Sequence, residues 1–169
     1  MACVISSGYS LGCRDSVGGL EFIAISSYND ATTYTLGAAS VITGISPTAS
    51  FYKFEQYTEQ ASVTQEGQFN NETGTTHYVQ TVTITLEKMD SATREQFLAL
   101  TQARVRIIAK TQNGKYFLFG KVNGGRASAG SSGPGKAFGD LAGFTLTFEL
   151  KESEPANEVD ATLAASIIS

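Results

Sequence analysis

Hydrophobic and polar residues alternate one by one through two long stretches of the chain. Tyr78, Gln80, Val82, Ile84 and Leu86 fall on one side of an extended segment, with Val79, Thr81, Thr83 and Thr85 on the other. Phe144, Leu146, Phe148 and Leu150 alternate with Thr145, Thr147, Glu149 and Lys151 in the same way. A period of two predicts half-buried strands, each with one face in a core and one threonine-bearing face left as surface. Shorter runs predict further strands over residues 20–28, 40–46 and 51–57. In the first of these Leu20, Phe22 and Ala24 share a face and Asn29-Asp30 ends the run; Pro47 stops the second. Residues 59–69 and 76–86 flank the polar connection Asn70-Asn71-Glu72-Thr73-Gly74, which reads as a hairpin. Each leg of about 11 residues reaches roughly 36 Å. That is more than a small sandwich needs, so the hairpin is expected to belong partly to neighbouring copies.

Only one segment has a convincing helical period. Asp90 is placed to cap a helix over residues 91–102, with Phe97 and Leu100 on one stripe and Met89 nearby. A strand follows in which Val105, Ile107 and Ala109 alternate with Arg104, Arg106, Ile108 and Lys110. Asn113-Gly114 then predicts a type I′ turn into residues 115–122. Residues 124–139 contain six glycines in 16 positions and read as a mobile loop. Gly125, Arg126, Gly130, Gly133, Gly135 and Lys136 are its candidates for contact between subunits. After the last strand, Pro155 opens a tail over residues 153–169, acidic first and then apolar through Leu163, Ala164, Ala165, Ile167 and Ile168. Its apolar end is expected to need a partner surface, such as an adjacent subunit. Residues 1–19 form a small-residue leader. The fold class expected is mainly β: one domain over residues 1–152, an antiparallel β-sandwich or barrel with one flanking helix, a long hairpin arm and a C-terminal tail.

Length changes this picture little, since 169 residues suit one domain. No apolar run approaches the roughly 20 residues needed to span a bilayer, and no basic residue precedes Arg14, so neither a membrane partner nor a signal peptide is expected. The protein is expected to be soluble and made in a cytoplasm. Cys3 and Cys13 are too few for a disulfide framework or a zinc site, leaving free thiols or one N-terminal bridge. The net charge of −4 is unevenly spread. Glu55, Glu59, Glu66, Glu72 and Glu87 occupy residues 54–87 without a base. Nine bases against Asp90 and Glu95 occupy residues 88–136, and Glu152, Glu154, Glu158 and Asp160 stand alone beyond them. Such blocks either dock copies head to tail or neutralise one another within a monomer. A nucleic-acid-binding stripe is disfavoured, because the bases are not clustered and the chain is acidic.

Motifs for chemistry fail on context. Gly130-Ser131-Ser132-Gly133-Pro134-Gly135-Lys136 has P-loop spacing, but Ala137 stands where a hydroxyl should hold magnesium and no helix pattern follows. His77 is the only histidine and lies on a threonine-rich strand face, where an exposed structural role is favoured over a general base. Glu55, Glu59 and Glu66 read as a solvated acidic face before a glycosidase pair. Asn71-Glu72-Thr73 is a formal glycosylation acceptor without secretion to make it relevant. No catalytic residue, metal or cofactor is expected.

Several phrases together do carry a family likeness. The run Gln80-Thr81-Val82-Thr83-Ile84-Thr85-Leu86, Met89-Asp90 with its helix, Val105-Arg106-Ile107-Ile108-Ala109, Asn113 to Gly120, and Phe138 to Phe148 resemble tail tube proteins of tailed bacteriophages. The likeness is greatest to the Bacteroidetes-phage type, which Cys3, Gly12-Cys13-Arg14-Asp15 and Gly18-Gly19 also fit. It covers about three quarters of the chain and rests on element order and short phrases; residues 28–52 fall outside it.

The resemblance implies a structural virion protein, assembled in the host cytoplasm, whose probable-hexamer rings stack head to tail into the conduit for DNA ejection. Its partners would be other copies, other tail proteins, the tape measure protein, and double-stranded DNA passing without specific binding. Six subunits giving four strands each would make a barrel of roughly 50 Å backbone diameter. Glu55, Glu59, Glu66, Glu72, Thr81, Thr83 and Thr85 are the residues expected at the lumen or at ring contacts, giving an anionic bore. A neck or tail-terminator protein of the same fold is the alternative. A monomeric ligand-binding sandwich with Tyr52, Tyr57 and Tyr78 as its platform, and a hydrolase built on His77, are the rivals from other classes.

Overall fold

The computed structural model describes residues 4–169. Eleven strands and two helices follow the leader: β1 Leu20–Ser27, β2 Thr33–Leu36, β3 Ile42–Ser46, β4 Tyr52–Glu55, β5 Ser62–Asn70, β6 Thr75–Leu86, α1 Ser91–Gln102, β7 Val105–Thr111, β8 Tyr116–Phe119, β9 Gly125–Gly133, β10 Gly143–Glu152, β11 Asn157–Val159 and α2 Ala161–Ile167. All strands join one sheet with the order β2-β3-β11-β8-β7-β9-β10-β6-β5, from which β1 and β4 branch at β7. The mainly-β expectation holds, with two corrections. The sheet is mixed, because β11 runs parallel to β3, and it does not close into a barrel.

β1 and β7 form the central layer and are buried on both faces. Ile23, Ile25, Val105, Ile107 and Ala109 meet Val82, Ile84, Leu146, Phe148 and Leu150 from β6 and β10 in a first core, which Leu100 of α1 completes. Phe22, Ala24 and Ile108 point the other way, into a second core with Ile42, Ile45, Phe51, Leu118, Val159, Ala164 and Ile167. A strand covered on both sides reads as a continuous apolar run, not an alternating one. Leu20 therefore does not share the face of Phe22 and Ala24: the pairing of β1 with β7 shifts register between Leu20 and Phe22, so Leu20 packs against the first core.

Arg106, on the β7 face shared with Ile108, is 1% exposed. Its guanidinium donates to the Tyr34 hydroxyl at 2.9 Å, lies 3.5 Å from the Ser27 carbonyl oxygen and sits 5.9 Å from the Phe51 ring centroid. Part of the second core comes from the C-terminus. The tail expected to seek an adjacent subunit forms β11 and α2, and Val159, Ala164 and Ile167 enter the second core. Asp160 caps α2 by accepting from the backbone of Thr162 and Leu163, and Ser169 exchanges main-chain hydrogen bonds with Phe51 and Lys53. One flanking helix thus becomes two.

The α1 helix matches its expected bounds, and Asp90 accepts from Thr93 N–H at 2.7 Å, holding its carboxyl below the ordinary range. Phe97 lies on Phe144 with ring centroids 4.8 Å apart, while Met89 remains exposed. The turn after β7 is not type I′. Gly114 alone has positive φ (78°), Asn113 does not, and Thr111 N–H reaches Lys115 O, which defines a three-residue loop with glycine in the left-handed position.

The expected mobile loop is also corrected, because residues 125–133 are strand β9, paired along β10. Two of its glycines serve close approach: a β-carbon on Gly130 would lie 3.2 Å from both Phe97 and Leu146, and one on Gly125 would collide with Leu150. Only the Pro134–Ala142 connection remains a loop, and Asp140 ties it by accepting from the N–H groups of Lys136 and Ala137 at 2.9 and 2.8 Å.

Glu152, 5% exposed, accepts from Asn123 N–H at 2.8 Å and Val122 N–H at 3.2 Å. Burial raises its pKa against the pull of these donors. The folded state then holds this proton more tightly than the unfolded state, so ionised Glu152 lowers stability near neutral pH, and the loss fades as pH falls through the raised folded value. Glu152→Gln, whose amide oxygen accepts the same donors, is expected to melt above the parent near neutral pH and to converge with it near pH ~4. A shift independent of pH in thermal melts would exclude this account.

Candidate assembly surface

β9, β10, β6 and β5 form an antiparallel four-stranded layer over the first core, with the outer face uncovered. The period of two decides which side chains stand there. Thr81 lies across from Thr64 and Glu149, Thr83 from Ser62 and Thr147, and Thr85 from Thr145, which in turn faces Ser131. The hydroxyls of Thr83 and Thr147 are 3.2 Å apart, and Ser128 donates to the Thr147 carbonyl at 3.3 Å. The result is a hydroxyl-rich face four strands wide. Its charges are balanced: Glu66 and Glu149 against Arg126 and Lys151, with Lys151 and Glu149 paired at 3.2 Å.

Both borders of this layer are open. β5 bonds only to β6, and beyond Gly125, where β9 meets Val105, β9 bonds only to β10. Nearly all of β5 is exposed, and so is the hairpin tip through His77, so the distal part of the arm stands clear of the body. Its base is anchored. Gln80, 1% exposed, donates to Gln65 Oε1 at 3.0 Å and accepts from Gly120 N–H at 3.1 Å, and Gln65 Oε1 also accepts from Ala156 N–H at 2.9 Å. This amide relay, joining three chain segments, gave only a faint sequence signal: a polar residue, Gln80, on the core face of a strand.

The residues expected at the lumen or ring contacts are only partly brought together. Thr81, Thr83, Thr85 and Glu66 share the outer face. Glu72 sits at the hairpin tip, Glu59 in the turn before β5 with φ of 69°, and Glu55 on β4, paired with Lys53 at 2.9 Å. An anionic sheet face is therefore not what the fold builds. Two tail acids are neutralised within the chain, Glu158 by Lys115 at 3.2 Å and Glu154 by Lys121 at 3.9 Å. Among the described residues Glu59, Glu66 and Glu72, beside or on β5, make no ion pair, and neither do Arg126 and Lys136 on the β9 side.

The alternative chemistries find no assembled site. Gly130 to Gly133 of the P-loop-like run lie in β9, and the N–H groups of Lys136 and Ala137 are taken by Asp140. His77 is exposed opposite Gln68, as its strand position predicted. Tyr52 and Tyr57 line a groove of about 1000 Å³ between β4, α1 and the end of β6, whereas Tyr78 packs against Phe69 in the arm, so the three form no shared platform. Among the described residues no cluster of His, Cys, Asp or Glu is placed to hold a metal, and no helix is long and apolar enough to cross a membrane. Cys13 is exposed; Cys3, and with it the proposed N-terminal bridge, lies outside the described residues.

Compared with known proteins, the chain matches no protein-family model, no curated protein and no solved structure.

Proposed function

We propose that this chain is a self-assembling structural subunit whose copies close into rings and stack as the tail tube of a bacteriophage, a conduit for DNA. The observation that carries the reading is the four-stranded antiparallel layer with both borders open. An even number of antiparallel strands means that copies related by rotation meet with β5 antiparallel to the neighbour's β9, so a closed ring continues the sheet without a change of direction. Closure also removes the exposed borders, which otherwise invite indiscriminate pairing. Unpaired acids stand on the β5 side and unpaired bases on the β9 side, and complementary borders of this kind set register between copies. The uncovered hydroxyl face then lines the bore. With its charges balanced, it offers no basic track to retain phosphate. The tape measure protein and other tail proteins are the further partners that this reading entails.

Negative-stain microscopy and sedimentation of the purified protein test it directly. Rings or tubes are expected, and Glu66→Lys or Arg126→Glu alone should raise the concentration needed for assembly by roughly tenfold or more, with the double exchange restoring it. Single rings that never stack would favour a neck or terminator role on the same fold. A particle that stays monomeric at high concentration would end the reading.

A further inference from the structure

The leader preceding β1 carries apolar side chains that its own body does not cover. Val4, Ile5, Tyr9 and Leu11 are 76–94% exposed, and no hydrogen bond among the described residues ties residues 4–15 to the rest of the chain. The first anchors are Ser16 and Val17, both held by Asn113. The leader therefore leaves the body at the Leu20 end of β1, beside the β7–β8 turn. A groove of about 1000 Å³ opens at the opposite end of β1, by Ile25 to Ser27. Its apolar lining includes Phe54, Leu86, Leu100 and Val105, with Ala99 and Tyr57, and Lys53, Glu55, Glu87 and Lys88 line it as well. Main chain is on offer as well: β4 pairs with β1 along one border, and its other border is engaged only around Phe51 and Lys53, by the C-terminal residues.

From this opposition we infer that the leader of one copy docks in the β4–α1 groove of the next, an inference that rests on the self-assembly reading above. Donor and acceptor lie at opposite ends of an eight-residue strand, about 26 Å apart, so copies stacked along that direction bring one to the other without a reversal of the chain. Sixteen extended residues reach about 50 Å, ample to cross a boundary between stacked copies. The leader through Cys13 carries no charged side chain among the described residues, which suits the apolar residues of this lining. Extended backbone laid along the open part of β4 would add strand pairing to side-chain burial. Because donor and acceptor are different surfaces, the contact repeats from copy to copy and does not close on a pair.

The test uses a labelled peptide of residues 4–19 and three proteins: the full chain, the full chain with Ile5→Asp and Leu11→Asp, and residues 20–169. The last retains every strand and both cores. Saturable peptide binding to residues 20–169, abolished by the exposed groove substitution Ala99→Arg, is expected. The doubly substituted leader should raise the concentration for assembly by roughly tenfold or more. Both leader positions are exposed, so a folding defect is not the confounder. A full chain that assembles normally with both substitutions, beside a body that ignores the peptide, overturns the docking and leaves the tube reading standing. Linear strings of copies that never close into rings, beside a body that binds the peptide, would keep the docking and end the tube reading.

Discussion

Removal of residues 157–169 is expected to leave a chain that no longer unfolds as one cooperative unit. The truncation takes away β11 and α2, with Val159, Ala164 and Ile167, and opens Ile42 and Phe51, both 0% exposed, to water. At about 1.5–3 kcal/mol for each large apolar side chain exposed, the loss is on the order of 5–10 kcal/mol, comparable to the whole stability of a typical domain. Circular dichroism during heating checks this. A truncated protein that melts sharply at the parent's temperature would return the segment to the status of a dispensable tail. A milder probe is Ile167→Asp, which places a charge in the second core and should destabilise by several kcal/mol, ~3 or more.

The second large effect is expected within a single strand. Phe148 is fully buried between the layers, in contact with the first core, and Phe148→Ala should cost about 3–5 kcal/mol. Its neighbour Thr147 stands on the opposite, hydroxyl-rich face beside Thr83, and Thr147→Ala should cost less than about 1 kcal/mol. Chemical denaturation of the two variants measures the contrast. Equal losses would mean that the outer face is as tightly packed as the inner one, which is incompatible with an open bore-lining surface. In assembly the order is expected to hold: the threonine variant still forms tubes, while the phenylalanine variant fails by losing its fold.

Where local chemistry acts alone, the chain was legible. Strict alternation in β6 and β10 showed their inner faces, Asp90 showed where α1 starts, and the polar run from Asn70 to Gly74 showed the hairpin. His77 fell on the exposed face because parity along a strand is a local property. Reading failed where one pattern has two physical causes. Glycines at 125 and 130 were taken for mobility, but here neighbours crowd the backbone: Leu150 presses on Gly125, and Phe97 and Leu146 on Gly130. The apolar end after Pro155 was assigned to a neighbouring subunit, though a place for it existed on the far side of β1 and β7.

The amino-acid order by itself determined a mainly β domain, the capped helix, the long hairpin, and the separation of apolar from hydroxyl faces on the two longest strands. These follow from backbone geometry and side-chain parity over a few residues. Only the tertiary structure decided that β1 and β7 are covered twice, that β9 extends the outer layer, and that this layer ends in two open borders with opposite unpaired charge. Those are contacts between segments far apart along the chain, set by which buried surfaces match in three dimensions, and no local period encodes them.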